Sequence, residues 1–228
     1  MIVGNGLVAR SCASLKDRED LVIFASGVAN SGEKLEDPFN REWTLLQEYM
    51  DRFPDKKFVY FSTCSVFDPS KSSTAYVQFK RKVEALLLES KRALVVRLPI
   101  LVGPTSNPNQ FCNFLYNQIT SGGEFELHTE AERYLFWSGD LAAAISAALT
   151  QSDLFEINVC HPNATSVSRL VEIMEEGLGQ KARYQKVHKG DRYSVDTQRF
   201  ETLIEKDNHR YLQSPEEIIT QFLTDKNK

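Results

Sequence analysis

Cysteine is scarce and scattered in this 228-residue chain: Cys12, Cys64, Cys112 and Cys160 lie 52, 48 and 48 residues apart, with no CxxC pair. That spacing excludes a disulfide framework and a zinc ribbon, and leaves reduced, buried thiols as the expectation. The residues around the four (RSCAS, STCSV, QFCNF, NVCHP) share no pattern, so there is no internal repeat. An excess of positive charge is missing as well. The 27 Lys plus Arg face 31 Asp plus Glu, and the net charge of -4 provides no basic footprint for nucleic acid or anionic lipid. No apolar run approaches the roughly 20 residues that cross a bilayer. The opening MIVGNGLVAR lacks the apolar core of a signal peptide, so a cytoplasmic chain without a membrane partner is expected. His128, His161, His188 and His209 have no metal-ligand spacing, and no metal site is expected.

With 42% hydrophobic and 25% charged residues, the composition is that of a globular chain. Short apolar or β-branched runs at 21–25, 57–62, 93–97 and 155–160 alternate with segments of helical period near 39–52, 75–91, 110–121, 140–150, 165–178 and 214–224. That alternation predicts an α/β fold, a parallel sheet wrapped by helices on both faces. Asp140 and Ser214-Pro215 read as helix starts. Gly103-Pro104 opens a polar stretch where the alternation stops. It divides a sheet region, 1–103, from a mixed region, 104–228, that completes the sheet and forms a substrate side, with helix 140–150 packing back on the sheet.

Two features carry chemistry. Gly4-Asn5-Gly6-Leu7-Val8-Ala9 follows a short apolar stub, and glycines there let the backbone turn tightly and approach a pyrophosphate. Ser62-Thr63-Cys64-Ser65 closes the strand KFVYFS, and Tyr76 and Lys80 follow four apart on the next helix. On one helix face an ammonium can draw a phenol's pKa down from about 10, and a phenol so tuned exchanges protons with a carbonyl or alcohol oxygen. Thr63 would supply the hydrogen bond that orients that oxygen.

In this order the motifs resemble the extended short-chain dehydrogenase/reductase family of NAD(P)-dependent nucleotide-sugar epimerases, dehydratases and reductases. GNGLVA resembles its phosphate loop, FVYFSTCSVF its hydroxyl-bearing strand and YVQFK its catalytic helix. VRLPILVGP, RYLFWSGDLAAAI and FEINVCHPNATSVSRLVEIM continue the likeness nearly to the end of the chain. The resemblance implies a Rossmann-like fold and NAD or NADP as cofactor. It also implies a nucleotide-sugar substrate, and a homodimer paired through the helices near 39–52 and 75–91. It assigns catalysis to Thr63, Tyr76 and Lys80, and substrate contacts to Thr63, Cys64, Ser65 and Arg133. Cofactor contacts fall to Gly4, Asn5, Gly6, Leu7, Val8, Ala9, Arg10, Ala25, Ser26, Gly27, Ser62, Tyr76, Lys80 and Pro99. Several of these have a second reading from the residues alone: Ala25-Ser26-Gly27 as a plain strand-to-loop turn, Arg10 as a solvated first-turn arginine, Cys64 as core filler, Trp137 as core instead of a ring contact.

Two departures from the family pattern stand out. The glycine loop is one residue shorter, and only Arg10 to Asp20 separate it from LVIFA, too few for the two strands that normally build the adenosine side. The fold expected is therefore a parallel sheet lacking those strands. A non-catalytic dinucleotide sensor or scaffold on the same fold is the alternative to an enzyme.

Overall fold

The computed structural model describes residues 1–226. The first half of the chain builds β1 (Ile2–Val3), α1 (Leu7–Ser11), β2 (Leu21–Phe24), α2 (Glu36–Arg52), β3 (Lys57–Thr63), α3 (Ala75–Ser90) and β4 (Ala93–Leu98). β2 and β3 are apolar almost throughout and buried on both faces, the pattern of strands inside a parallel sheet. α2 starts at Glu36, before the apolar period begins at Phe39. Glu36 and Asp37 favour the positive helix end, and Pro38 fits its first turn. α3 is capped by the Thr74 hydroxyl, which accepts from the Val77 N–H at 3.3 Å.

The second half contributes β5 (Ile100–Val102), α4 (Phe111–Ser121), β6 (Glu124–His128), β7 (Glu132–Arg133), β8 (Leu135–Trp137) and α5 (Leu141–Leu149). It ends with β9 (Glu156–Asn158), β10 (Thr165–Ser166), α6 (Val167–Leu178), β11 (Arg183–Val187), α7 (Gln198–Lys206) and α8 (Pro215–Lys226). Ser214 starts α8 through a reciprocal cap, accepting from the Glu217 N–H at 3.1 Å while its own N–H donates to the Glu217 carboxylate at 3.2 Å. Asp140 does not cap α5. Its carboxylate instead accepts from the Leu212 N–H at 2.9 Å and pairs with His209 Nε2 at 2.8 Å, tying the approach to α8 onto α5. α7 escapes the sequence pattern because it is short and polar, with Phe200 and Leu203 as its only buried residues.

The main sheet is wholly parallel, in the order β1-β2-β3-β4-β9. Between Gly6 and Leu21 the chain makes only α1 and a single 3-10 turn, so β1 is an edge strand and the adenosine-side strands are missing, as the short interval predicted. The order therefore rises along the chain without the reversal that opens a ligand crevice in a doubly wound sheet. The mixed region supplies a wall instead. β9 joins the sheet, and Leu141, Ala144 and Ile145 of α5 share a core with Ile23, Val59 and Leu94. β5 pairs with β8, β6 with β11 and β7 with β10, and these ribbons pack with α4, α6 and α8 around a second core. Among the described residues no helix is long and apolar enough to cross a membrane.

Candidate active site

The turn after β1 is forced by its glycines. Gly4 has φ +116°, and a Cβ there would lie 2.4 Å from the Ala25 carbonyl oxygen, so the turn can press against the end of β2 only without a side chain. A Cβ at Gly6 would meet nothing within 4 Å, which leaves that side of the turn open. Arg10 donates to the Asn5 carbonyl at 3.1 Å and to the Pro104 carbonyl at 3.2 Å, stapling the turn to the loop after β5. In this position it is a structural clamp, outside the cavity wall.

A cavity of about 590 Å³ opens at the carboxyl ends of β1 to β4. Gly6, Leu7 and Val8 line one end, Ala25, Gly27, Pro99 and Thr63 the floor, and Tyr76 and Lys80 a side; Arg133, Tyr193 and Asn107 close it from the mixed region. Gly4, Asn5, Ala9 and Ser26 support the turns without lining it. The structure thus brings Thr63, Tyr76, Lys80, Ser65 and Arg133 to one space. Ser62 touches the wall as well, but its hydroxyl donates to the Glu84 carboxylate, which also receives Arg97 at 2.7 Å.

Thr63 Oγ1 accepts from the Ser65 N–H at 3.1 Å, an interaction that turns the chain sharply after β3. Cys64 points the other way. It is fully buried beside Cys160 and Tyr134, and burial pushes its thiol well above the ordinary range, so it is core filler and not a substrate contact. All four cysteines are free and buried. Trp137 belongs to the second core. Arg133 donates to the Glu132 carbonyl at 2.7 Å, which leaves most of its guanidinium for the cavity.

Lys80 departs most from the sequence reading. It is 2% exposed, and its ammonium donates to Glu42 Oε1 at 2.8 Å, to the Tyr60 hydroxyl at 3.0 Å and to the Phe61 carbonyl at 3.4 Å. An ammonium has three donors, and all three are used. Glu42, wholly buried on α2, also accepts from the Tyr60 hydroxyl at 2.6 Å and the Val28 N–H at 2.6 Å. Burial pushes the Lys80 ammonium down, while Glu42 pulls it back up. The Tyr76 phenol is pushed up to about 12, first by burial and then by the Glu42 charge, with the Thr63 hydroxyl beside it acting in the opposite sense. The expectation that Lys80 draws this phenol toward neutrality is therefore corrected: Glu42 compensates the cation that would have done so.

Sequence spacing missed Glu42, although Phe39, Glu42 and Leu46 form one buried stripe of α2, and a carboxylate on an apolar stripe is itself a signal. It also missed Tyr193 and Asn107, which reach the cavity from irregular segments whose facing no periodicity reveals.

No family model matches the sequence, and no curated protein does. Solved structures do match in fold. MoeE5, in complex with UDP-glucuronic acid and NAD, superposes at TM-score 0.76 with 14% identity over 99% of this chain and 85% of its own. RMD from Pseudomonas aeruginosa, complexed with NADPH, does so at 0.71 with 16% identity over 98% and 88%. The dTDP-glucose 4,6-dehydratase of Bacillus anthracis str. Ames, in complex with NAD, does so at 0.71 with 17% identity over 99% and 80%. The fold is thus Rossmann-like, a parallel α/β sheet of the type these structures share.

Proposed function

We propose that this chain is an NAD(P)-dependent oxidoreductase or epimerase/dehydratase acting on a nucleotide-linked sugar. The observation that carries the reading is the meeting of Thr63 and Tyr76 in one cavity that has an open glycine turn at one end and an arginine at the other. The solved neighbours support it, being described with NAD or NADPH and, for one, with UDP-glucuronic acid. Gly6, Leu7 and Val8 would hold the dinucleotide's pyrophosphate, and the Gly27 backbone and Pro99 its nicotinamide half. When bound, that group supplies the hydride donor or acceptor.

The remaining work belongs to side chains. Tyr76 exchanges a proton with the reacting sugar oxygen. Thr63, whose oxygen already accepts from Ser65, keeps its O–H for that same sugar oxygen. Arg133 matches the charge and planarity of a diphosphate. We also propose pairing of two copies through α2 and α3, and a reducing, cytoplasmic setting that suits four free thiols.

Two experiments test the reading. Calorimetry with the four oxidised and reduced dinucleotides should give binding, weaker than in proteins with a complete adenosine side; no binding at millimolar concentration counts against it. With a substrate found by mass spectrometry of the natively purified protein, Tyr76→Phe should remove most turnover and leave dinucleotide affinity nearly unchanged. Turnover at the parent rate would move the assignment to a non-catalytic sensor.

A further inference from the structure

The Glu42–Lys80 pair joins four elements at the cavity wall: α2 through Glu42, α3 through Lys80, β3 through Tyr60 and Phe61, and the loop after β2 through Val28. A Cβ at Gly27 would lie 2.9 Å from the Lys80 nitrogen and 3.1 Å from Glu42 Oε1, so this glycine, itself part of the cavity lining, gives the pair its room. We propose that Glu42 is a positioning residue: it holds and matches the Lys80 ammonium at the cavity wall, and so leaves Tyr76 as a proton donor, suited to reducing a carbonyl and unsuited to oxidising an alcohol. This deepens the function proposed above and rests on it.

Such a reduction balances as follows. The carbonyl carbon takes a hydride from the reduced dinucleotide, the oxygen takes the Tyr76 proton, and the phenolate regains a proton from water.

The surroundings of the phenol agree. The groups facing it are Glu42 from α2, Tyr60 and Thr63 from β3, and Lys80 from its own helix, the ammonium 5.9 Å from its ring centre. Asp68 and Lys71 from the turns before α3, and Arg133 and Tyr193 from the mixed region, line the same cavity. Nearest the ring are apolar side chains, Val28, Phe39, Val66 and Val77. With Lys80 matched by Glu42, the Thr63 hydroxyl is the inner group's remaining support for a phenolate, and burial and the Glu42 charge outweigh it.

The test needs no substrate. In protein carrying ring-labelled tyrosine, with Tyr76→Phe assigning the signal, the parent Tyr76 resonance should not titrate between pH 6 and 10. Glu42→Gln removes the charge that matches Lys80, and should make Tyr76 at least about tenfold more acidic. Adding Lys80→Met to Glu42→Gln should abolish that gain. An unchanged titration in Glu42→Gln, or a gain that persists in the double variant, overturns the proposal. If Glu42→Gln does not fold, the parent decides: its Lys80 nitrogen resonance should stay protected from exchange and unmoved when reduced dinucleotide is added. A Lys80 signal that shifts or loses protection on that addition refutes the proposal. Failure of dinucleotide to bind leaves the ligand-free titration standing, and sinks only the functional reading.

Discussion

Two buried carboxylates, one on each of the helices that flank β3, face cations in opposite circumstances. Glu42 and Lys80 are sealed, with side-chain exposures of 0% and 2%. Glu84 and Arg97 lie at the margin, where Arg97 is 12% exposed and also reaches the 44%-exposed Glu156 at 2.7 Å. The sealed pair has no water to fall back on, so each member depends wholly on the other. The marginal cluster shares its charge among several groups and the solvent. The difference teaches that a buried charge acts locally only when it is left unmatched, and in the sealed group the matching carboxylate decides what the neighbouring phenol can do.

The largest effect comes from breaking the sealed pair. Glu42→Leu strands a buried ammonium and should cost about 3–5 kcal/mol in a chemical melt, whereas Glu42→Leu with Lys80→Met together should recover most of that loss. A double variant no more stable than the single would show that the pair is not the sealed unit described.

Next is the alkaline limb of stability. The folded value of Tyr76 is raised to about 12 from 10, so the folded state favours the neutral phenol. This contribution is complete below pH 10 and is lost as pH rises through 12. Between pH 9 and 12 the parent should lose about 2 kcal/mol more than Tyr76→Phe, read from urea midpoints. Equal losses would contradict it.

The marginal cluster should respond less. Glu84→Gln keeps an acceptor for Ser62 and leaves Arg97 its Glu156 partner and water, so a cost of about 1.5 kcal/mol is expected. A cost equal to that of Glu42→Leu would erase the distinction. Smallest of all, Arg169→Met removes an exposed arginine that touches Glu172, Glu176 and Glu216, and should shift the urea midpoint least of the four, with the shift vanishing in high salt.

Much of this was legible in the chain itself. The apolar runs marked β2, β3 and β4 because strands covered on both faces must be apolar throughout. The eleven residues from Arg10 to Asp20 were too few for two strands and a helix, which is why the missing side of the sheet could be foreseen. Thr63 and Tyr76 could be matched because a strand end and the next helix start are near neighbours in any parallel sheet. Lys80 was misjudged for a physical reason. Spacing along one helix says which residues share a face, but the partner that takes the ammonium sits 38 residues earlier on another helix. The substrate wall was least legible, since Tyr193 and Asn107 arrive on segments with no period.

β1 has a neighbour on one side only, and its hold on the sheet includes the Val3 carbonyl accepting from Ala25 at 2.8 Å and the Met1 carbonyl accepting from Ile23 at 2.9 Å. An edge of two residues frays more readily than the strands inside, and the glycine turn hangs from its end. Whatever settles on Gly6 must therefore also hold that edge in place. Occupancy of the turn and order of the strand become reciprocal measures of one equilibrium: each stabilises the other by the same free energy, and hydrogen exchange at the first strand reports on ligand affinity.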